Sequence, residues 1–394
     1  MYNVFGIFFL ESVNYLEHII YLDNSATTKP CKKACEYINN ALCENWGNPS
    51  SLHTMGINAE LLVSKTRKTA AKLIGALESE IIFTGSGTEA NNTAIMSAVS
   101  RKNRGNRIIT TKIEHPSVLE TVKRLESQGF EVLYLDTDQN GIIDLEQLKN
   151  YLNSNTVLVS IMLVNNEMGA IEPIEQASKL IKELSPNALF HTDAVQAFGK
   201  MPINVRKLGV DILSASGHKI HGPKGIGFLY KSKNINIAPF ITGGGQENGL
   251  RSGTEAVPLI AGLLGAIEEI GNISEKLDKI KELNLYAREK LSAFDCFKIN
   301  SPENALPYIL NISVPHYRSE TMLHFLEIKN IFVSSGSACA KGELSYVLSS
   351  LGADRSLIDS ALRLSFSRDT TKEDIDCAIE ALLEATQKLR RSKI

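Results

Sequence analysis

From about residue 20 to residue 230 the chain alternates short apolar runs with amphipathic stretches. The runs Ile81–Thr84, Arg107–Thr111, Glu131–Leu135, Val157–Val164, Ala188–Thr192, Asp211–Ala215 and Ile226–Tyr230 predict strands. Between most of them lie helical patterns, among them Glu60–Ile74, Glu89–Val99, Pro116–Leu125 and Ile174–Leu184. Val/Ile-rich strands separated by helices predict a mainly parallel seven-stranded sheet covered on both faces. Such sheets place their ligands beyond the carboxyl ends of the strands. The stretch Ile241–Thr254 is Gly-rich and aperiodic, and predicts a loop. Two long helical patterns follow, Glu255–Ile270 and Glu275–Ser292, then strand-like runs at Tyr308–Val314, Ile331–Ser334 and Leu362–Phe366, and a charged helix from Lys372 to about Arg390. This reads as a second, smaller α/β domain. The expected division is an N-terminal extension over 1–18, a large domain over 19–262 and a small domain over 263–394.

Composition narrows the picture. The 394 residues are 43% hydrophobic and 22% charged, ordinary for a globular protein, with room for two domains. A net charge of −2 provides no cationic field to recruit nucleic acid or an anionic membrane. The early apolar run Val4 to Leu10 is too short to span a bilayer and lacks the charged start of a secretion signal. Six cysteines in a chain this long do not make a disulfide scaffold, so a reducing, cytoplasmic compartment is expected.

Three weak signals carry chemistry. After the run ending at Thr84 comes Gly85-Ser-Gly87-Thr88-Glu-Ala90 and then a helix; glycines admit close approach, and a helix N-terminus favours an anion such as phosphate. The same spacing fits a dinucleotide fingerprint, with Glu114 after the next strand, so an NAD-dependent Rossmann oxidoreductase is the rival, and a plain tight turn the bland alternative. Gly217-His218-Lys219-Ile-His-Gly-Pro223-Lys-Gly225 nearly spells a P-loop, but Pro223 stands where that motif needs Lys and Gly225 where it needs Ser/Thr. What remains is Lys219 in an apolar, Gly-flanked turn, where desolvation makes an amine nucleophilic. Asp193, at a strand end, either caps the next helix or needs a cationic partner such as a pyridinium nitrogen. A nicotinamide enzyme needs no Schiff-base lysine, whereas pyridoxal 5'-phosphate needs all three features.

With these residues in view the sequence resembles the cysteine desulfurases, the NifS-like branch of the class V aminotransferase-type pyridoxal phosphate enzymes. The matching stretches are Tyr21-Leu-Asp-Asn-Ser-Ala-Thr-Thr28, the Thr88 loop, Glu114-His115-Pro116, Asn165-Asn166-Glu167, Asp193 to Gln196, Ser216-Gly-His-Lys219, Arg251-Ser-Gly-Thr254, Ser335-Gly-Ser-Ala-Cys339 and Arg363. They cover about residues 19 to 390. Residues 1–18 fall outside, as a tail or the product of a start site placed too far upstream. The resemblance implies a fold-type I transferase in which Lys219 holds the cofactor, Asp193 pairs with its ring nitrogen and Gln196 bonds its ring hydroxyl. His115 would stack on the ring and assist proton transfer. Gly87, Thr88, Ser216 and His218 would hold the phosphate, with Thr254 arriving from the partner of a homodimer. Asn166 and Arg363 would bind the substrate, Arg363 gripping its α-carboxylate.

The same resemblance implies the reaction: L-cysteine gives L-alanine and a persulfide on Cys339. The persulfide then passes to a sulfur-acceptor protein, an iron–sulfur scaffold, a tRNA-thiolating enzyme or a carrier. Cys339 lies in Ser334–Gly342, a run of small residues expected to be mobile, with Lys341 favouring the thiolate. The alternatives are a selenocysteine lyase or another class V enzyme. No metal is expected, since the Cys31, Cys35, Cys43 spacing fits no zinc or iron–sulfur pattern. Cys31 and Cys35, four apart on a helix opened by Pro30, read as buried packers, as do Cys43, Cys296 and Cys377.

Overall fold

The computed structural model describes residues 18–100, 105–336 and 344–391. In chain order its strands are β1 (Ile20–Tyr21), β2 (Ile81–Thr84), β3 (Arg107–Thr111), β4 (Glu131–Leu135), β5 (Thr156–Ser160), β6 (Leu189–Asp193), β7 (Ile212–Ser216), β8 (Gly227–Lys231), β9 (Lys298–Ile299), β10 (Ile309–Ser313), β11 (Ile331–Phe332) and β12 (Ala361–Ser365). Seven of them form one sheet in the order β2-β8-β7-β6-β5-β3-β4, in which β8 alone is reversed. The expected mainly parallel α/β sheet is therefore present. Every residue of β5, β6 and β7 is buried, which is why these segments read as unbroken apolar runs rather than as an alternation. Within them the buried His191 braces three strands, its Nδ1 meeting Ser160 Oγ at 2.9 Å and its Nε2 meeting Ser214 Oγ at 3.0 Å. Burial drives its pKa down to about 3, so it is a neutral strut.

Two element boundaries differ from the sequence expectation by more than two residues. The run Val157–Val164 leaves the ladder after Ser160, although Ile161 N and Leu163 N still bond the carbonyls of His191 and Asp193. Of the extra residues, Met162 and Val164 line a cavity, while Ile161 and Leu163 pack into the core. The helix expected from Glu60 starts earlier, at Thr54, and runs to Leu73. His53 caps it by accepting from Gly56 N, a role usually filled by Ser, Thr, Asp or Asn.

The C-terminal block builds a smaller antiparallel sheet, β12-β10-β9. The N-terminal strand crosses to it: β1 pairs in parallel with β11, and Asp23 bridges to Ser365. Residue 262, the expected boundary, falls inside the helix Val257–Ile270. That helix lies tight against the helix Lys32–Cys43: a Cβ on Gly265 would sit 2.8 Å from Ala34 Cα, and one on Gly262 would sit 2.7 Å from Ile38.

The cysteines correct the expectation of buried packers. Cys31 is buried, but as the N-cap of the helix Lys32–Cys43, its sulfur accepting from Ala34 N. Cys35, Cys43 and Cys377 are exposed and Cys296 is half-buried. Four-residue spacing puts two side chains on a shared face without saying which way that face points. Among the described residues no group of three or more His, Cys, Asp or Glu is placed to hold a metal ion.

Candidate active site

Because β2, β3, β5, β6 and β7 all run the same way, the segments that follow them gather at one edge of the sheet. They enclose a cavity of about 240 Å³. Lys219, His115, Gly87, Thr88, Asp193, Gln196, Ser216, His218, Asn166 and Arg363 all line it. Thr254 is exposed and does not line it. Cys339 and Lys341 lie outside the described residues.

The anion end is built by β2 and the helix Gly87–Val99. Ser86 caps that helix by accepting from Glu89 N at 3.0 Å. The N–H groups of Gly87 and Thr88 then open the helix with no acceptor within it. A Cβ on Gly87 would lie 2.8 Å from Val195 Cγ2, so only glycine fits this turn. Ser216 Oγ, at the end of β7, is buried and finds no protein partner among the described residues. His218 meets Thr27 Oγ1 through its Nδ1 at 3.2 Å, and burial with Lys219 nearby drives its pKa down to about 4. It is therefore a neutral hydrogen-bonding group.

Asp193 ends β6 with one hydrogen bond to each carboxylate oxygen. It accepts from Asn91 Nδ2 at 2.6 Å and from Val195 N at 2.9 Å. Asn91 also reaches Ser117 Oγ at 2.9 Å, and that hydroxyl meets His115 Nδ1 at 2.8 Å. Asp193, Asn91, Ser117 and His115 thus form one chain of hydrogen bonds. His115 caps the helix Pro116–Glu126, and burial lowers its pKa against the opposing pull of Asp193. Asn91 escaped the sequence reading, although it sits four residues after Gly87 and so on the same helix face.

Lys219 Nζ donates to the carbonyls of Ser25 at 2.6 Å and Ala26 at 2.8 Å. Gln196 Nε2 donates to the same Ser25 carbonyl at 3.0 Å, while Lys200 Nζ donates to Gln196 Oε1 at 3.1 Å. Arg363 is almost wholly buried, with one terminal nitrogen on the Asn166 carbonyl at 2.9 Å and the other on Asp23 Oδ1 at 3.0 Å. Its Nε, Asn166 Oδ1 and Ser25 Oγ are buried without a protein partner among the described residues. Buried polar atoms are normally satisfied, so this ring of unmatched donors and acceptors suits a polar ligand with both a phosphate and a carboxylate to bind. A pyridoxal phosphate carrying an amino acid has that character.

Glu114, the residue that kept a dinucleotide reading open, does not line the cavity. It is wholly buried, with Oε1 accepting from Met162 N at 2.7 Å and Thr111 Oγ1 at 3.1 Å. Burial pushes its carboxyl well above the usual range. No ribose hydroxyl can reach it there.

Comparison with known proteins agrees with this geometry. The family described as aminotransferase class-V matches residues 20–377. A putative cysteine desulfurase IscS 1 of Bacillus subtilis is 43% identical over 379 residues, covering 94% of this chain and 99% of that protein. The solved structure of a NifS-like protein superposes with a TM-score of 0.89 at 38% identity, over 94% of this chain and all of the other. A structure titled SspA in complex with cysteine matches with a TM-score of 0.79 at 35% identity, over 89% of this chain and 99% of that one. Members of this family depend on pyridoxal phosphate. The chain belongs to the class V aminotransferase family and, within it, to the cysteine desulfurases.

Proposed function

We propose that this chain removes sulfur from L-cysteine with bound pyridoxal phosphate, releasing L-alanine and leaving a persulfide on Cys339. The observation that carries the reading is the meeting of Lys219, Asp193 and His115 in one cavity with the buried Arg363. Gly87, Thr88, Ser216 and His218 hold the phosphate, and Asp193 and Gln196 hold the ring. When bound and joined to the substrate amine, the cofactor supplies an electron sink that makes the Cα proton removable.

The chain's own residues do the rest. Arg363 and Asn166 orient the substrate, Arg363 through its α-carboxylate. With the substrate amine in place, Lys219 Nζ would be the group that takes the Cα proton. Asn91 and Ser117 tie the Asp193 carboxylate and the His115 ring into one hydrogen-bonded unit, so neither reorients as charge moves. The Cys339 sulfur then bonds to the substrate sulfur as the substrate's Cβ–S bond breaks. The electron pair of that bond stays with the carbon skeleton, which takes up a proton and leaves as alanine. Cysteine plus one enzyme thiol become alanine plus one persulfide, with no external oxidant.

The working form we propose is a homodimer. Thr254 is exposed on a segment tied to its own subunit by the Arg251–Glu89 ion pair, and does not line its own cavity. Nearby, Arg67 pairs with Glu247 of the same segment, and its helix exposes Met55, Ile57 and Leu61 beside Trp46 and Leu52. A second copy of the chain would cover these side chains and receive Thr254. The exposed thiols of Cys35, Cys43 and Cys377 suit a reducing cytoplasm, and the persulfide's acceptor would be an iron–sulfur scaffold or a tRNA-thiolating enzyme.

Lys219→Ala tests the reading. The wild-type protein should show a visible absorption band that borohydride bleaches, with the cofactor retained on the Lys219 peptide. The variant should show neither, and no alanine release. A borohydride-sensitive band in the variant would reject the assignment.

A further inference from the structure

The proposed reaction leaves one buried acid of the site unused. Glu167 directly follows the substrate-binding Asn166, and its side chain is wholly buried. The turn is locked beneath it: Asn165 Oδ1 accepts from Glu167 N at 2.9 Å and from Met168 N at 2.8 Å, and Asn165 Nδ2 donates to the Ile113 carbonyl at 3.1 Å. The carboxyl therefore has a fixed base and a fixed direction.

That direction is toward two stretches far away in sequence. Ser345 Oγ donates to Glu167 Oε2, and the same hydroxyl caps the helix Tyr346–Ser350 by accepting from Leu348 N at 3.1 Å. Gly336 packs onto the same oxygen: a Cβ there would sit 3.3 Å from Glu167 Oε2 and 3.5 Å from Ser345 Cβ. Its φ of 81° also favours glycine. Two residues before, the chain is still held by Ser334, whose N and O pair with Arg363 at 3.2 and 2.7 Å. Gly336 stands three residues before Cys339, and Ser345 six residues after it. The residues flanking the stretch that carries the thiol thus lie near one carboxyl, Ser345 through a hydrogen bond and Gly336 by close approach.

We propose that Glu167 is a positioning residue: it ties both stems of the Cys339 segment to the turn that presents Asn166 and to the strand that presents Arg363. This rests on the reading of Cys339 as the sulfur acceptor. The tie matters because sulfur transfer requires two sulfur atoms to come within bonding reach, and small misplacements of reacting groups cost rate steeply. The carboxyl contributes this at an expense to the fold. Burial raises its pKa, against opposing effects of Ser345 and Arg363, and its Oε1 has no partner among the described residues. Removing one partner of a buried hydrogen bond leaves the other unsatisfied, so Glu167→Leu costs the fold through the Ser345 hydroxyl. A role in folding alone predicts that loss with normal turnover, whereas a role in positioning adds a loss of kcat at temperatures where the variant is fully folded.

The test uses the full-length, cofactor-loaded protein and Glu167→Leu, with Glu167→Gln as the conservative control because its amide oxygen still accepts from Ser345. In Glu167→Leu the visible band should stay at its wild-type value, and the melting temperature should fall by no more than in Ser345→Ala, which also loses a helix cap. Backbone hydrogen exchange should quicken in peptides covering 334–336 and 344–348. The kcat for alanine release should fall about tenfold, the scale of one lost buried hydrogen bond, with KM for L-cysteine unchanged. Glu167→Gln should recover most of that loss. Ser345→Ala, which removes the same bond from the other side, should reproduce the kcat loss, and combining it with Glu167→Leu should add little. Unchanged exchange in both stems overturns the proposal, and so does an unchanged kcat or a loss confined to KM. Cys339→Ser run alongside separates the two levels. If that variant still releases alanine, the nucleophile assignment fails and this inference with it. If it does not, while Glu167→Leu turns over normally, only the positioning role is rejected.

Discussion

On the sheet-edge wall of the cavity, Gly87, Asp193 and Lys219 each sit within three residues of the end of a strand, so the register of β2, β6 and β7 sets their positions. On the wall with Asn166 and Arg363, position comes instead from residues brought together across the chain. Arg363 reaches Asp23 over a separation of 340 residues, and Ser345 reaches Glu167 over 178. The first wall is a property of one sheet; the second exists only when three remote segments meet. The chemistry divides along the same line. Moving a proton at Cα needs fixed groups, which a buried parallel sheet supplies. Bringing a thiol to the substrate and later to an acceptor needs a part whose attachment is local and adjustable.

The comparison breaks most sharply on two substitutions. Lys219→Ala should remove turnover altogether, typically by a factor of about 10²–10⁴ or more for loss of a proton-transfer group, and should remove the bound cofactor too. Cys339→Ser should spare the sheet-edge wall: the visible band persists and still shifts on adding L-cysteine. Alanine and persulfide, measured by product release and by alkylation with peptide mapping, should fall to a trace. If Cys339→Ser lost its cofactor, the two walls would not be separable.

A smaller effect sharpens the first wall. Asn91→Ala frees one oxygen of a buried carboxylate, which loses a charged hydrogen bond worth about 1.5–3 kcal/mol. Affinity for pyridoxal phosphate, measured by fluorescence titration of the apo form, should weaken roughly tenfold to a hundredfold on the same scale. KM for L-cysteine on the loaded enzyme should move little.

The smallest effect concerns stability away from both walls. Burial raises the Glu172 pKa to about 8, with Ile143 N donating to Oε2 and Asp138 adding to the upward shift. Between its ordinary value near 4.5 and about 8 the folded protein holds a proton that the unfolded chain releases. Stability from this group therefore falls as pH rises through that window. Melting curves at pH 5 and pH 8 should show wild type losing more than Glu172→Gln, with equal losses counting against the buried acid.

The same contrast explains what could be read in advance. All seven strands of the main sheet were legible as apolar runs, because central strands are buried on both faces. Gly87, Asp193 and Lys219 were legible because each motif directly follows its strand. Asn91 was not, since an Asn within a helix carries no mark of pointing at a carboxylate 102 residues away. Glu167 stood inside a quoted motif, yet its partners Gly336 and Ser345 are set by tertiary contact alone. The cysteines failed for a related reason. Periodicity showed that Cys31 and Cys35 could share a face, while the helix start captured Cys31 as a cap and left Cys35 in water.

The crossing of β1 to β11 has a consequence for the order of synthesis. The segment after β1 supplies the carbonyls of Ser25 and Ala26 to Lys219, and Asp23 to Arg363. Its own anchors are Asn330, Phe332 and Ser365, among the last parts of the chain to leave the ribosome. A nascent chain that ends before β11 can pair all seven strands of the large sheet, because none of them comes later than Lys231. It still lacks the strand that holds its first residues in place, and with it the floor under the lysine. Assembly of the sheet during translation is thus uncoupled from completion of the cavity, which waits for a chain that extends past β12.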